Sequence, residues 1–155
     1  NGINDQLAAM LGLSDITPLV RKPNQPGGAG RLGNLNSPTS IESLITRLRS
    51  KISFSEPDCN LPRSTQVERV AICCGSGGSM IQTAIERGAE LLLTGEATHH
   101  QFLEAKEAGR GILAIGHHAS ESFSMGQLAK LLQAKLMVVN VWHSVACSKD
   151  KDVAE

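Results

Sequence analysis

Between residues 67 and 141 one pattern recurs: an apolar run of strand length, a polar or glycine-rich turn, then a helical stretch. Residues 67–74 are β-branched and apolar, Gly75-Ser76-Gly77-Gly78 is a turn, and residues 79–87 read as a helix with Met80, Ile81, Ala84 and Ile85 toward the core. Gly88 stops that helix, because glycine takes the left-handed conformation that ends a helix. Short strands over 90–93 and 112–116 follow. Each leads to a helix, over 99–108 and 120–135, the second with Met125, Leu128, Leu131 and Leu132 inward. A last strand is expected over 136–141. Strands alternating with helices of this length need crossover connections and imply βαβ units. The expected fold is α/β, a mainly parallel sheet with helices on both faces.

The first 65 residues are less regular. A helix over 5–13 carries Leu7, Met10 and Leu11 on one face and ends near Gly12. Residues 16–21 read as a strand, placed at an edge by Pro18, which has no N–H for a ladder. Residues 23–38 are dense in Gly, Pro and Asn and read as a loop. A helix over 39–51 starts on Thr39 and Glu42, which have capping-box spacing, and buries Ile41, Leu44, Ile45 and Leu48. Residues 53–65, broken by Pro57 and Pro62, read as turns and loop. The expected organisation is an irregular linker segment with two helices over 1–65, an α/β unit over 66–142, and a frayed, charged tail over 143–155.

Charge and composition remove several partner classes. Fifteen Lys and Arg against fifteen Asp and Glu leave no net charge. Nucleic acid and acidic membrane surfaces both select a basic surplus, so neither is an expected partner. Three Phe, one Trp and no Tyr offer little for base stacking. No apolar run approaches the roughly 20 residues of a membrane-spanning helix. No basic stretch followed by an apolar core opens the chain, as a secretory signal does. A domain of 155 residues buries about 68–70% of its unfolded surface and folds without a disulfide or metal staple. Cys59, Cys73, Cys74 and Cys147 include no C-x-x-C pair, so a zinc ribbon or thioredoxin-like site lacks support and a reducing compartment is expected. Cys73 and Cys74 read as small buried hydrophobes.

In a parallel α/β sheet the turns leaving the carboxyl ends of the strands form the rim where ligands bind. Here those turns are Gly75-Ser76-Gly77-Gly78-Ser79, then Thr94-Gly95-Glu96 followed by His99-His100, then Gly116-His117-His118-Ala119-Ser120-Glu121. They gather four of the five histidines and two carboxylates on one rim. A helix starting near His117 puts His117 and Glu121 on one face, where an imidazole and a carboxylate can share a divalent metal. The plainer alternative is a helix cap, with Ser120 or Glu121 supporting the helix start and His117 bonding a neighbour. His99 and His100 point different ways on a helix, and a solvated first turn explains them equally well. Glu96 precedes that helix, where the helix dipole favours a carboxylate; its functional alternatives are an outer partner of a metal and a proton acceptor. The glycine-rich turn can cradle a phosphate without metal, but it is neither a GxGxxG nor a Walker loop, and a close strand–helix turn also explains it. No G-x-S-x-G elbow is present to support a serine hydrolase. His143 stands alone near the tail.

In order and spacing, Val70-Ala71-Ile72-Cys73-Cys74-Gly75-Ser76-Gly77-Gly78, Thr94-Gly95-Glu96, His100 and Gly116-His117-His118-Ala119-Ser120-Glu121 resemble the GTP cyclohydrolase I type 2 family. That family is also called the NGG-one-interacting-factor-three-like family. Gly2-Ile3-Asn4-Asp5-Gln6-Leu7-Ala8 and Gly28-Ala29-Gly30-Arg31-Leu32-Gly33 look like further landmarks. The resemblance spans nearly the whole chain and fades after about Asn140, where the family usually carries a Ser/Asp/Pro-containing ending that residues 142–155 do not reproduce.

The resemblance implies two similar α/β halves around two metal ions, often in ring-shaped hexamers with the sites facing inward. The family's ligands are an adjacent His pair and an Asp from the first half, and a His and a Glu from the second. The last two map onto His117 and Glu121. Thr94, Glu96 and His100 match a motif near the same cavity, with Glu96 and His100 the expected catalytic residues that move protons. The first-half ligands precede the Gly-Ile-Asn-Asp block, at which this chain begins, so His99-His100 is not that pair. With Asn1 rather than Met first, the chain is expected to be the C-terminal part of a two-half dinuclear-metal fold, residues 1–65 continuing a missing N-terminal half.

The implied activity is that of a divalent-metal-dependent hydrolase acting on GTP or another nucleotide-like substrate, opening the guanine ring with metal-activated water. The alternative is a non-catalytic adaptor or regulator that forms ring-shaped assemblies and binds protein partners. Zinc, iron, manganese and magnesium are all open as the metal, as is no metal at all in a chain without the first-half ligands. The expected partners are further copies in a homo-oligomer, a small nucleotide, and other proteins. The expected compartment is the cytoplasm, with a mitochondrial or nuclear pool left open.

Overall fold

The structure, a computed structural model, describes residues 2–23 and 27–144. In chain order its elements are α1 (Ile3–Leu11), β1 (Ser14–Thr17), β2 (Val20–Arg21), β3 (Gly28–Ala29), β4 (Arg31–Ser40), α2 (Ile41–Arg49), β5 (Asp58–Cys59), β6 (Gln66–Cys73), a short 3-10 turn (Gly77–Met80), α3 (Ile81–Glu86), β7 (Leu91–Thr94), α4 (His99–Glu107), β8 (Gly111–Ala114) and α5 (His117–Lys135). Six strands form one sheet in the order β1-β4-β6-β7-β8-β5, and β2 pairs with β3 in a separate ribbon.

The α/β class read from the sequence is the one found, in a mixed sheet. β6, β7 and β8 run parallel, while β4, β1 and β5 join antiparallel. Parallel strands covered on both faces become continuously apolar, and every residue of β7 and β8 is buried. Leu32, Ala71, Leu92 and Ile112 stand in register across β4, β6, β7 and β8. They pack with Ile81 and Ala84 of α3 and Ala105 of α4. Neighbours with the opposite parity, Val70, Ile72, Leu91 and Leu93, are equally buried, so the other face is covered too. There α1 and α2 pack on each other and on β4, through side chains that include Leu7, Leu11, Leu44 and Leu48.

Several local expectations are corrected. The segment read as a loop over 23–38 contains β3 and most of β4, a strand of ten residues between β1 and β6. Gly33 of β4 serves close approach: a Cβ there would lie 2.9 Å from the Ser14 carbonyl oxygen. Pro38 is tolerated because pairing with β6 shifts register between Asn34 and Thr39, the kind of irregularity where a strand accepts proline. The strand expected over 16–21 is divided at Pro18-Leu19 into β1, at the sheet edge, and β2. Ser40, not Thr39, caps α2, its Oγ accepting from the Ser43 N–H at 3.2 Å. Residues 53–65 contribute β5, which pairs with β8.

The boundary expected near residue 65 falls inside the sheet. One compact unit holds the chain through Ser122, and a second begins at Phe123, within α5. In that second unit the strand expected over 136–141 is absent. The Gln133 side chain instead takes its backbone groups, donating to the Leu136 and Val139 carbonyls and accepting from the Val141 N–H. Met125, Leu128, Leu131 and Leu132, expected inward, are 40–62% exposed. The frayed tail read over 143–155 lies, from residue 145 on, outside the described residues, as does Cys147. Among the described residues no helix is long and apolar enough to cross a membrane.

Candidate functional site

Because β6, β7 and β8 are parallel, the turns that follow them share one edge, and the backbone stitches them together. The Gly75 carbonyl accepts from the Gly95 N–H at 3.1 Å and the Glu96 N–H at 2.9 Å, and the Gly95 carbonyl accepts from the Gly116 N–H at 2.9 Å. Gly95 must be glycine for this seam to close: a Cβ there would lie 2.6 Å from Ser120 Oγ and 2.9 Å from His117 Cα.

The seam brings together three of the four residues read as site candidates. Glu96 Oε2 lies 3.1 Å from His117 Nδ1. On the other side of the ring, Glu121 Oε2 lies 3.5 Å from His117 Nε2, one helical turn along α5. Ser76, in the glycine-rich turn, donates its hydroxyl to Glu96 Oε2 at 3.0 Å. The Glu96 hydrogen bond pushes the His117 pKa up, with the charges of Glu121 and Glu96 adding to it against some desolvation. Reciprocally, His117 first and Ser76 second hold the Glu96 carboxyl below its usual range. All three side chains are about half exposed, at 46%, 56% and 43% for His117, Glu96 and Glu121. Their Coulomb energies are therefore screened by water.

His100 is not brought into this set. Among the described residues its interaction is an edge contact with the His99 ring, with centroids 6.4 Å apart. Glu96 is not the cap of α4: Thr98 and Gln101 form a capping box there. The glycine-rich turn has spent donors that a phosphate would need. Gly75 N–H goes to Ser120 Oγ and Gly78 N–H to the Glu96 carbonyl. A Cβ on Gly77 would lie 2.6 Å from Cys73 Cβ, and one on Gly78 would lie 2.8 Å from Ala97 Cα. These glycines make a close strand–helix turn.

The donor pair His117 Nε2 and Glu121 Oε2 fits a shared cation. Bonds of about 2.0–2.1 Å in a tetrahedral site put neighbouring donors about 3.3 Å apart, close to the 3.5 Å seen. The space beside them is kept open by Gly75, whose Cβ would lie 2.5 Å from Glu121 Oε1 and 3.2 Å from His117 Nε2. The set is incomplete: among the described residues no group of three or more His, Cys, Asp or Glu converges to hold a metal ion. Glu96 cannot be the third ligand of this pair, because it takes the opposite ring nitrogen.

Asn4, which no sequence motif marks as a site residue, and Ser120, expected only as a helix cap, both support the site. Asn4 Oδ1 accepts from the Cys74 N–H at 2.9 Å across 70 residues, a contact that no local spacing announces. Ser120 is fully buried and bonds Gly75 and the His117 carbonyl. Cys74 itself is half-buried, and its thiol pKa is pushed up to about 12 by burial, with Cys73 and Glu121 adding to it. Next to the seam, Glu96 lines a cleft of about 220 Å³ together with Glu56, Asp58 and Gly116.

The family model described as Duf34/NIF3 (NGG1p interacting factor 3) matches residues 1–152. A GTP cyclohydrolase 1 type 2 homolog of Nostoc sp. is 33% identical over 139 residues, which is 86% of this chain and 51% of that relative. NIF3-like protein 1 of Bos taurus is 34% identical over 113 residues, 70% of this chain and 29% of that relative. Of the solved structures, a Bacillus cereus protein related to NIF3 has the same fold, with a TM-score of 0.80 at 16% identity, covering 99% of this chain and 70% of that one. Reduced HcgD from Methanocaldococcus jannaschii matches with a TM-score of 0.70 at 26% identity, over 86% of this chain and 51% of that one. The chain spans about half the length of the Nostoc relative and less of the bovine one. By the match along nearly its whole length, the chain belongs to the Duf34/NIF3 (NGG1p interacting factor 3) family.

Proposed function

We propose that His117 and Glu121 bind a divalent metal ion, and that the protein acts as a metal-dependent hydrolase on GTP or another nucleotide-like substrate. The observation carrying this reading is the pair of contacts on the His117 ring, Glu96 at Nδ1 and Glu121 at Nε2. A carboxylate on one ring nitrogen fixes the tautomer and the ring plane. With Nδ1–H given to Glu96, Nε2 faces a carboxylate and needs a positive charge between them, a proton or a cation. Two donors are fewer than the three protein ligands of a catalytic zinc site, so the reading includes ligands from outside the described residues, as the resemblance to the family implies.

The chemistry such an ion supplies is an acidified water and polarisation of the attacked bond. This chain's part is positional. His117 and Glu121 would hold the ion, and Glu96 orients the imidazole. The cleft beside Glu96, about 220 Å³, is smaller than the roughly 300–1,000 Å³ of a whole-ligand pocket, so it receives one portion of a substrate. No proton step is assigned to His100. The GTP cyclohydrolase 1 type 2 homolog names of relatives support the substrate class. Chromatographic assay of GTP turnover by the metal-replete natural full-length protein tests the reading. Turnover that stops in a folded His117→Ala variant is expected; turnover indifferent to that change and to chelator overturns it.

A second reading is a regulator that binds protein partners from a homo-oligomeric ring. It is supported by the interacting-factor name of the family and of the bovine relative. It predicts a partner complex that His117→Ala leaves intact.

A further inference from the structure

We propose that Asn4 and Ser120 are positioning residues that clamp the backbone at Cys74 and Gly75 beside the His117–Glu121 pair, an inference that rests on the metal-site reading above. Two successive N–H groups of one turn are gripped from two helices. Asn4, in the first turn of α1, accepts from the Cys74 N–H at 2.9 Å. Ser120, in the first turn of α5, accepts from the Gly75 N–H at 2.9 Å. The Ser120 hydroxyl also donates to the His117 carbonyl at 2.8 Å. It is 0% exposed, so neither of its bonds is exchanged with water.

The clamped turn is the common reference for all three site side chains. Glu96 is tied to it through its own N–H on the Gly75 carbonyl at 2.9 Å. His117 and Glu121 are tied to it through Ser120, which lies between them on α5. Gly75 also forms the wall of the site, since a Cβ there would come within 2.5 Å of Glu121 Oε1. A displacement of this turn therefore moves the wall and the Glu96 support relative to the two donors. Metal–ligand distances tolerate about 0.2 Å, and a site holds its function only when its side chains stay within about 0.5 Å of their geometry. Asn4 acts through Cys74, and Ser120 through Gly75 and His117.

Cobalt(II) titration of the natural full-length protein, followed by calorimetry and by the visible ligand-field bands, tests this with Ser120→Ala, Asn4→Ala and Asn4→Asp. Aspartate keeps the acceptor oxygen for the Cys74 N–H, whereas alanine removes it and suits a helix equally well. Both alanine variants are expected to bind cobalt about 10–100-fold more weakly with altered bands, while Asn4→Asp keeps the wild-type spectrum. Thermal unfolding of the metal-free variants shows that they fold, which separates a positioning effect from loss of structure. Folded alanine variants with wild-type affinity and bands overturn the clamp, as does an Asn4→Asp variant no better than Asn4→Ala. A wild-type protein that takes up no cobalt instead overturns the metal-site reading, and the clamp with it.

Discussion

Glu96 Oε2 sits 3.1 Å from His117 Nδ1, across a seam between two turns that the parallel order of β7 and β8 lays side by side. The contact fixes which imidazole nitrogen is left for Glu121. Glutamine at position 96 keeps an acceptor for Nδ1–H and loses the charge; alanine loses both. Affinity for zinc, read by competition with a coloured chelator, is expected to fall in Glu96→Gln and further in Glu96→Ala, the latter by about 10–100-fold. Equal affinities in all three proteins would show that Glu96 does not support the imidazole.

Gly75 is held at φ +65°, a conformation that costs a side-chain-bearing residue about 1–2 kcal/mol. Its missing Cβ also leaves room for Glu121 and His117. Gly75→Ala should lower the melting temperature by a few degrees, at about 2–4 °C per kcal/mol for a domain of this size, and should weaken metal binding beyond that. An alanine variant with wild-type melting and binding contradicts the cradle.

Arg31 clasps Asp5 through two nitrogens, one of them at 2.9 Å. Its hydrogen bond is the main cause holding the Asp5 carboxyl below its ordinary range, with the Gly2 N–H adding to it against desolvation. A carboxyl whose folded pKa is depressed adds stability above its unfolded pKa and loses it as pH falls through the folded one. Wild type should therefore lose stability on acidification through that window, and Asp5→Asn should show a shallower loss. Denaturant midpoints from neutral to acid pH measure this; parallel curves for the two proteins contradict it.

The Cys74 thiol, pushed up to about 12, stays protonated near neutral pH. Since the thiolate is the nucleophile, iodoacetamide at pH 8 should modify Cys74 far more slowly in the folded than in the unfolded protein. Mass mapping of the alkylated peptide checks this, and equal rates in both states contradict it.

Much of this was legible in the sequence where structure is local. The runs that became β7 and β8 are almost continuously apolar because both faces are covered, and Gly88 stands at φ +75° just after α3 as its stop position suggested. His117 and Glu121 were legible because helical spacing alone puts them together. β4 was not, because its glycine and proline are answers to neighbours: the Ser14 carbonyl against Gly33, and the register shift around Pro38. The support of the site was equally hidden. Ser76 looked like part of a phosphate loop until its hydroxyl was seen on Glu96, and Asn4 reaches Cys74 only through the packing of α1 beside β6. The apolar residues of 136–139 read as a strand, but none of the described strands pairs with them.

The central claim is that His117 and Glu121 share a divalent ion. Isothermal titration of the metal-free natural full-length protein with zinc and with manganese tests it most directly, run beside His117→Ala and Glu121→Gln. Saturable binding in the wild type that is lost in His117→Ala and weakened in Glu121→Gln is the result predicted. Binding of the same affinity and stoichiometry in all three proteins, or none in the wild type, would contradict it.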